Sequence, residues 1–145
     1  MKVKRLMLSL AAVALFAVVY GCVFGLSIQG RLDQFIDDLN SADRSNVYKN
    51  LDPSIPDYDE LKHTNYWGDD MTPGWFPLVG SDTPYSLREV AINDPGTGTA
   101  TVIARIDGPS SFGSDWVIEF GLNQVGMDWL FSSITFDGTP LVPLP

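Results

Sequence analysis

Ala100-Thr101-Val102-Ile103-Ala104-Arg105-Ile106 and, one turn later, Trp116-Val117-Ile118-Glu119-Phe120-Gly121-Leu122-Asn123 decide the fold. Both alternate, so Ala100, Val102, Ala104 and Ile106 share one face of a strand, and Trp116, Ile118, Phe120 and Leu122 share one face of the next. Alternation of this kind marks an antiparallel sheet with one face on a core and the other toward water. Working outward, Tyr85 to Ile92 reads as a preceding strand. Its apolar phase slips at Arg88-Glu89 (Tyr85 and Leu87, then Val90 and Ile92), which predicts a bulge. Asp94-Pro95-Gly96-Thr97-Gly98 is a hairpin turn, Asp107 to Asp115 a second, and Gln124 to Met127 a third. A last strand is expected from Asp128 to Phe136, with Leu130, Ile134 and Phe136 opposing Trp129 and Phe131. Three short turns in succession predict a meander of about four strands. Beyond Gly138, a proline-punctuated tail over 139–145 cannot extend that sheet centrally.

N-terminal to the meander the period changes. Ile28, Leu32, Phe35, Ile36 and Leu39 recur at helical spacing, with Arg31, Asp33, Gln34, Asp37 and Asp38 on the other face, predicting an amphipathic helix to Asn40. Asn40-Ser41-Ala42 breaks it. Asp43 or Ser45 is then placed to cap a short second helix carrying Val47, Tyr48 and Leu51, stopped by Asp52-Pro53. From Pro53 to Pro77 no period holds. Prolines, glycines and acids punctuate a stretch that also carries Tyr58, Tyr66, Trp67, Trp75 and Phe76, with room for a short helix near Tyr58 to Thr64. Connections of this length are either functional or ordered by their own packing.

The first 26 residues carry a different message. Lys2, Lys4 and Arg5 precede an almost uninterrupted apolar run from Leu6 to Leu26, which contains the single cysteine, Cys22. A basic start followed by an apolar core is an export signal, and the basic end stays on the cytoplasmic side. Three fates are open. Val19-Tyr20-Gly21-Cys22 reads as a lipobox, with Cys22 lipid-modified, although Tyr20 is bulkier than the small residue usual at that position. The whole run also has the length of an uncleaved anchor. Cleavage after Gly21, Gly25 or Ser27 would instead free the domain. The expected partition is therefore 1–26 as signal or anchor, 27–138 as one α+β domain, and 139–145 as tail.

Three of the nine Lys and Arg leave with the first five residues, so six face all 18 Asp and Glu, a net charge near −12 for the exported part. A nucleic-acid partner is excluded on that charge. Once Cys22 is consumed or embedded, disulfides, Cys-ligated zinc and thiol catalysis are excluded as well.

Phe35-Ile36-Asp37-Asp38-Leu39-Asn40-Ser41-Ala42-Asp43 followed by Val47-Tyr48, and the closing Asp128-Trp129-Leu130 followed by Ile134, resemble the opening and closing elements of the nuclear-transport-factor-2-like superfamily. The resemblance spans about Ser27 to Gly138. It implies a cone-shaped α+β fold with an apolar pocket between helix and sheet, where relatives bind ligands or do chemistry. No catalytic residue of the enzymatic members matches this chain by motif, so no catalytic residue, cofactor or metal site is assigned.

His63, with Asp59 or Glu60 to orient it, has the makings of a general base, against the plainer reading of an exposed loop histidine. Asp57, Asp59, Glu60, Asp69 and Asp70 are candidates to supply oxygens to calcium, but they lack the regular alternation and the glycine of an EF-hand loop. Trp67, Trp75 and Phe76 are candidates for an aromatic lip over a pocket, or else core. Glu119 is a candidate pocket carboxylate if its sheet face lines a cavity, and a solvated strand residue if it does not. The expected protein is a membrane-anchored envelope domain facing the periplasm or the outside. Its expected work is non-catalytic binding of a protein partner or a small apolar ligand. The alternatives are a pocket enzyme of isomerase, dehydratase or cyclase type, and a structural accessory of an envelope assembly.

Overall fold

The computed structural model describes residues 25–68, 74–77, 79, 84–109 and 114–144. The address segment up to Phe24, Cys22 included, and the candidate ligands Asp69 and Asp70 lie outside them. Among the described residues no helix is long and apolar enough to cross a membrane.

Helix α1 spans Ile28–Asn40. Ser27 starts it, its hydroxyl accepting from the Gly30 backbone N–H at 3.1 Å, which satisfies one of the donors a helix start leaves open. Ile28, Leu32, Phe35, Ile36 and Leu39 form the buried stripe, joined by Arg31. The expected second helix is instead a single 3₁₀ turn, Val47–Asn50. Asp43 does not cap it, because its carboxylate accepts from the Ser45 backbone N–H inside a tight turn. A further 3₁₀ turn, Glu60–Lys62, and the one-turn helix α2, Thr64–Trp67, order the irregular segment.

The sheet has five strands: β1 Ser86–Asn93, β2 Thr99–Asp107, β3 Trp116–Val125, β4 Asp128–Phe136 and β5 Thr139–Val142. They lie in chain order, each antiparallel to the next. The predicted bulge is present, the β1–β2 register shifting between Leu87 and Glu89. Two expectations are corrected. The tail begins as β5, so the sheet has five strands where about four were expected. Its Pro140 is accommodated because β5 is an edge strand. The faces of β4 also differ from simple alternation. Leu122 pairs with Phe131 while Gly121 pairs with Ser133, leaving Ser132 as an extra residue. That bulge flips the phase, so Phe131 joins Ile134 in the core instead of opposing it.

The layers meet at Phe35. Its ring stands edge-on to Phe131 (5.3 Å), Phe120 (5.8 Å), Phe76 (5.9 Å) and Trp67 (6.1 Å). All five side chains are almost wholly inaccessible. Edge-to-face pairs at these separations exploit the ring quadrupole as well as burial. Thus α1 and the irregular segment supply the rings that the alternating faces of β2, β3 and β4 require.

Candidate functional site

Why does an aperiodic, proline-rich segment fold against the core at all? Its two large apolar side chains, Trp67 and Phe76, supply the drive, and Arg44 supplies the fixings. The Arg44 guanidinium, 2% exposed, donates from Nε to the Leu39 carbonyl at 2.8 Å and from Nη2 to the Pro77 carbonyl at 2.9 Å. Its Nη1 donates to the carbonyls of Trp67 and Phe76. It also lies 5.9 Å from the centre of the Tyr85 ring. Burial pulls its pKa below the ordinary arginine value, with Tyr85 acting the other way, but an arginine stays charged here. One cation therefore ties the C-terminal end of α1 to both ends of the loop that follows Trp67.

A second polar cluster closes the opposite end of α1. Arg31 donates from Nε to the Trp129 carbonyl (2.7 Å), from Nη1 to Asn50 Oδ1 (3.0 Å) and from Nη2 to Asp128 Oδ1 (3.2 Å). Asn50 in turn donates to Asp38 Oδ2 at 2.7 Å. Beside it, Asp52 accepts from Asn123 Nδ2 at 2.8 Å and from the backbone and hydroxyl of Ser54 at 2.9 and 2.7 Å. Burial pushes the Asp52 carboxyl up, but those bonds outweigh it and hold the group below its ordinary value. Buried polar groups that are satisfied in this way fix geometry; here they lock helix to sheet.

The open feature lies on the irregular segment. Asn65, Tyr66, Gly74 and Trp75 line a solvent-facing cleft of about 360 Å³, and the Trp75 side chain stands 45% exposed. Its floor is rigid. The Trp75 N–H donates to the Tyr66 carbonyl at 3.2 Å, the Tyr66 hydroxyl donates to the Leu141 carbonyl of β5, and Trp67 Nε1 donates to the Leu61 carbonyl at 2.7 Å. Burial pushes the Tyr66 hydroxyl up to about 12, against the pull of a hydrogen bond with the Trp75 side chain. Such a site offers an apolar indole face, an amide and backbone edges. It suits recognition of a surface, and the described residues of its lining hold no paired acid and base.

The four residues expected at a pocket or lip are thus divided. Trp67 and Phe76 are core, stacked on each other at 6.4 Å with their planes 22° apart. Trp75 alone of the three lines an opening. Glu119 is exposed on the far face of the sheet, between Ile103 and Thr135 in the strand register. His63 is exposed at the junction of the second 3₁₀ turn and α2. Its expected orienting partner Asp59 is engaged by Lys62 at 2.6 Å instead. Among the described residues no three His, Cys, Asp or Glu side chains gather as a metal site. Arg31, expected on the exposed face of the helix, is buried instead, and neither Arg44 nor Asn50 was singled out, because a polar side chain carries no local sign that distant backbone and side-chain partners will bury it. Tyr66 was marked only as one aromatic of an irregular run.

No protein-family model matches this chain, and searches of curated proteins and of solved structures return no match.

Proposed function

We propose that this chain is a membrane-anchored envelope domain, held by its N-terminal segment with the α+β domain on the periplasmic or outer side. Its work is to bind a protein partner without catalysis. The observation that carries the reading is the division of the aromatics. Phe35 and the four rings around it fill the space between helix and sheet, while Trp75 stands out of a braced surface cleft. Exposed tryptophan on a rigid support is the kind of anchor that protein interfaces use. A small apolar ligand would need an enclosed apolar cavity, and the helix–sheet interface, where relatives of the resembled family keep theirs, is occupied by these rings. Kinship with nuclear-transport-factor-2-like domains belongs to the same proposal, supported by the order of helix, short turns and antiparallel meander.

The test is site-specific photo-crosslinking in the native membrane, with the photoreactive side chain placed at position 75 or at position 119 of the full chain. The expected result is a discrete protein adduct from position 75 and none from 119. An adduct from 119 alone would move recognition to the outer sheet face, as for a structural accessory. A lipid-sized adduct at 75 would replace the protein partner with a small apolar ligand.

A further inference from the structure

The path by which the chain enters the domain gives the domain a lower end. Leu26 is already part of the fold: its N–H donates to Asp128 Oδ1 at 2.7 Å, and its carbonyl accepts from the Trp129 N–H at 3.3 Å. Gly25 lies so close to the β3–β4 turn that a Cβ on it would stand 2.1 Å from the Met127 carbonyl oxygen. The chain therefore arrives at the tip of the β3–β4 hairpin, Val125-Gly126-Met127. Cys22 precedes Gly25 by three residues, a reach of at most about 11 Å. An uncleaved anchor would have to end before Gly25, where the folded domain begins, and would leave still less spacer. Under either form of attachment, this end of the sheet is drawn down to the bilayer.

The side chains at that end suit the location. Val125 and Met127 are 43% and 51% exposed, two apolar side chains flanking a tight turn. The neighbouring β1–β2 turn joins it through Gln124 N–H donating to the Gly98 carbonyl at 2.8 Å. Residues 92–99 and 123–128 contain no Lys or Arg, and Asp128 is held by Arg31. The opposite end carries Asp107, Asp115 and Asp137 beside Arg88 and Arg105. We propose that the β3–β4 hairpin tip, Val125-Gly126-Met127, is a membrane-contacting surface that seats in the headgroup region and stands the sheet upright. Seating rests on apolar insertion and tethering and not on attraction to anionic lipid, because the tip lacks the basic residues that such attraction needs. The Trp75 cleft, braced against β5 along the far half of β4, then stands clear of the bilayer, within reach of soluble partners.

This orientation rests on the anchored reading above, and one experiment separates the two. Full-chain Met127→Cys and Asp137→Cys variants are reconstituted in phosphatidylcholine vesicles, floated on a density gradient, and labelled with a charged, membrane-impermeant maleimide. Rates are normalised to the same proteins in urea, and the wild-type chain gives the Cys22 background. Both positions are exposed turn residues. The expected result is flotation of both variants, with position 127 labelling about tenfold more slowly than 137, as insertion by several ångströms into the headgroup layer requires. Flotation with equal rates overturns the orientation and leaves the anchor intact. Failure of the wild type to float overturns the anchored reading and the orientation with it. Val125→Cys reads the same tip should Met127→Cys fold poorly, and rapid labelling there also counts against the proposal.

Discussion

At Arg44 one guanidinium serves four backbone carbonyls, from Leu39, Trp67, Phe76 and Pro77. Its value is best judged by what removal leaves behind. Arg44→Ala would strand those oxygens in a dry site, and a buried acceptor left without its donor costs about 1–3 kcal/mol. Urea unfolding should show that loss, and a change below about 1 kcal/mol would mean that water replaces the guanidinium freely. Arg44→Lys should recover little, since a single ammonium cannot reproduce the planar fork. Three ionisable side chains, Asp52, Tyr66 and Tyr85, tie stability to pH. The Asp52 carboxyl is held below its ordinary value in the fold, so its contribution is complete above about pH 4, the unfolded value, and is lost as pH falls through the folded one. Asp52→Asn should therefore flatten the acid limb of the stability curve. Tyr66 is pushed up to about 12, with Tyr85 raised further by burial despite Arg44. Their contribution is present below pH of about 10 and lost as the pH rises through the folded values. Tyr66→Phe should weaken the alkaline limb while also giving up the bond to Leu141. A pH-stability profile unchanged in both limbs would show that neither group is linked to folding.

At the scale of elements, the loop after Trp67 is cinched by two glycines. Gly68 has φ of +89°, and a Cβ there would meet the Phe76 carbonyl oxygen at 2.5 Å. A Cβ on Gly74 would meet the Gly68 nitrogen at 2.2 Å. Gly96 has φ of +74° but open space around it. Gly68 also has ψ of +137°, outside the left-handed helical region, so backbone strain and crowding act together there. Gly96→Ala should cost about 1 kcal/mol, and Gly68→Ala about 1–3 kcal/mol more. Equal losses in chemical denaturation would mean that the close approach contributes nothing. This pair also marks where sequence reading stops. The long helix, the three turns and the Arg88 bulge were legible because each is a local signal: a period, a turn composition, a slipped phase. The β4 bulge at Ser132 was not. Trp129, Leu130 and Phe131 are all apolar, so no polar residue marks which face is wet, and the decision falls to pairing with Gly121 and Leu122 across the ladder. Trp75 was legible as one of three aromatics but not separable from Trp67 and Phe76. What separates them is that Arg44 and the glycine pair turn the chain inward at 67 and 76 and outward at 75.

For the molecule as a whole, the question is whether the space between helix and sheet is core or cavity, and Phe35 answers for it. Four rings address Phe35 edge-on, and they come from three separate stretches of chain. Removing it takes a phenyl ring from the one place where α1, the irregular segment and the sheet meet. Phe35→Ala should cost about 3–5 kcal/mol, a large part of the about 5–15 kcal/mol that holds an ordinary domain together. It should also leave an apolar hole of the kind that stays dry and accepts a benzene-sized guest. The decisive measurement is binding of benzene or indole to wild type and variant, read by the rise in melting temperature that a ligand confined to the folded state produces. Stabilisation of Phe35→Ala alone would show that the wild-type interior is filled by its own side chains, and would direct the search for a physiological partner to the Trp75 cleft. Comparable stabilisation of the wild type would mean that the rings part to admit a guest, and the small apolar ligand would then displace the protein partner as the reading to pursue.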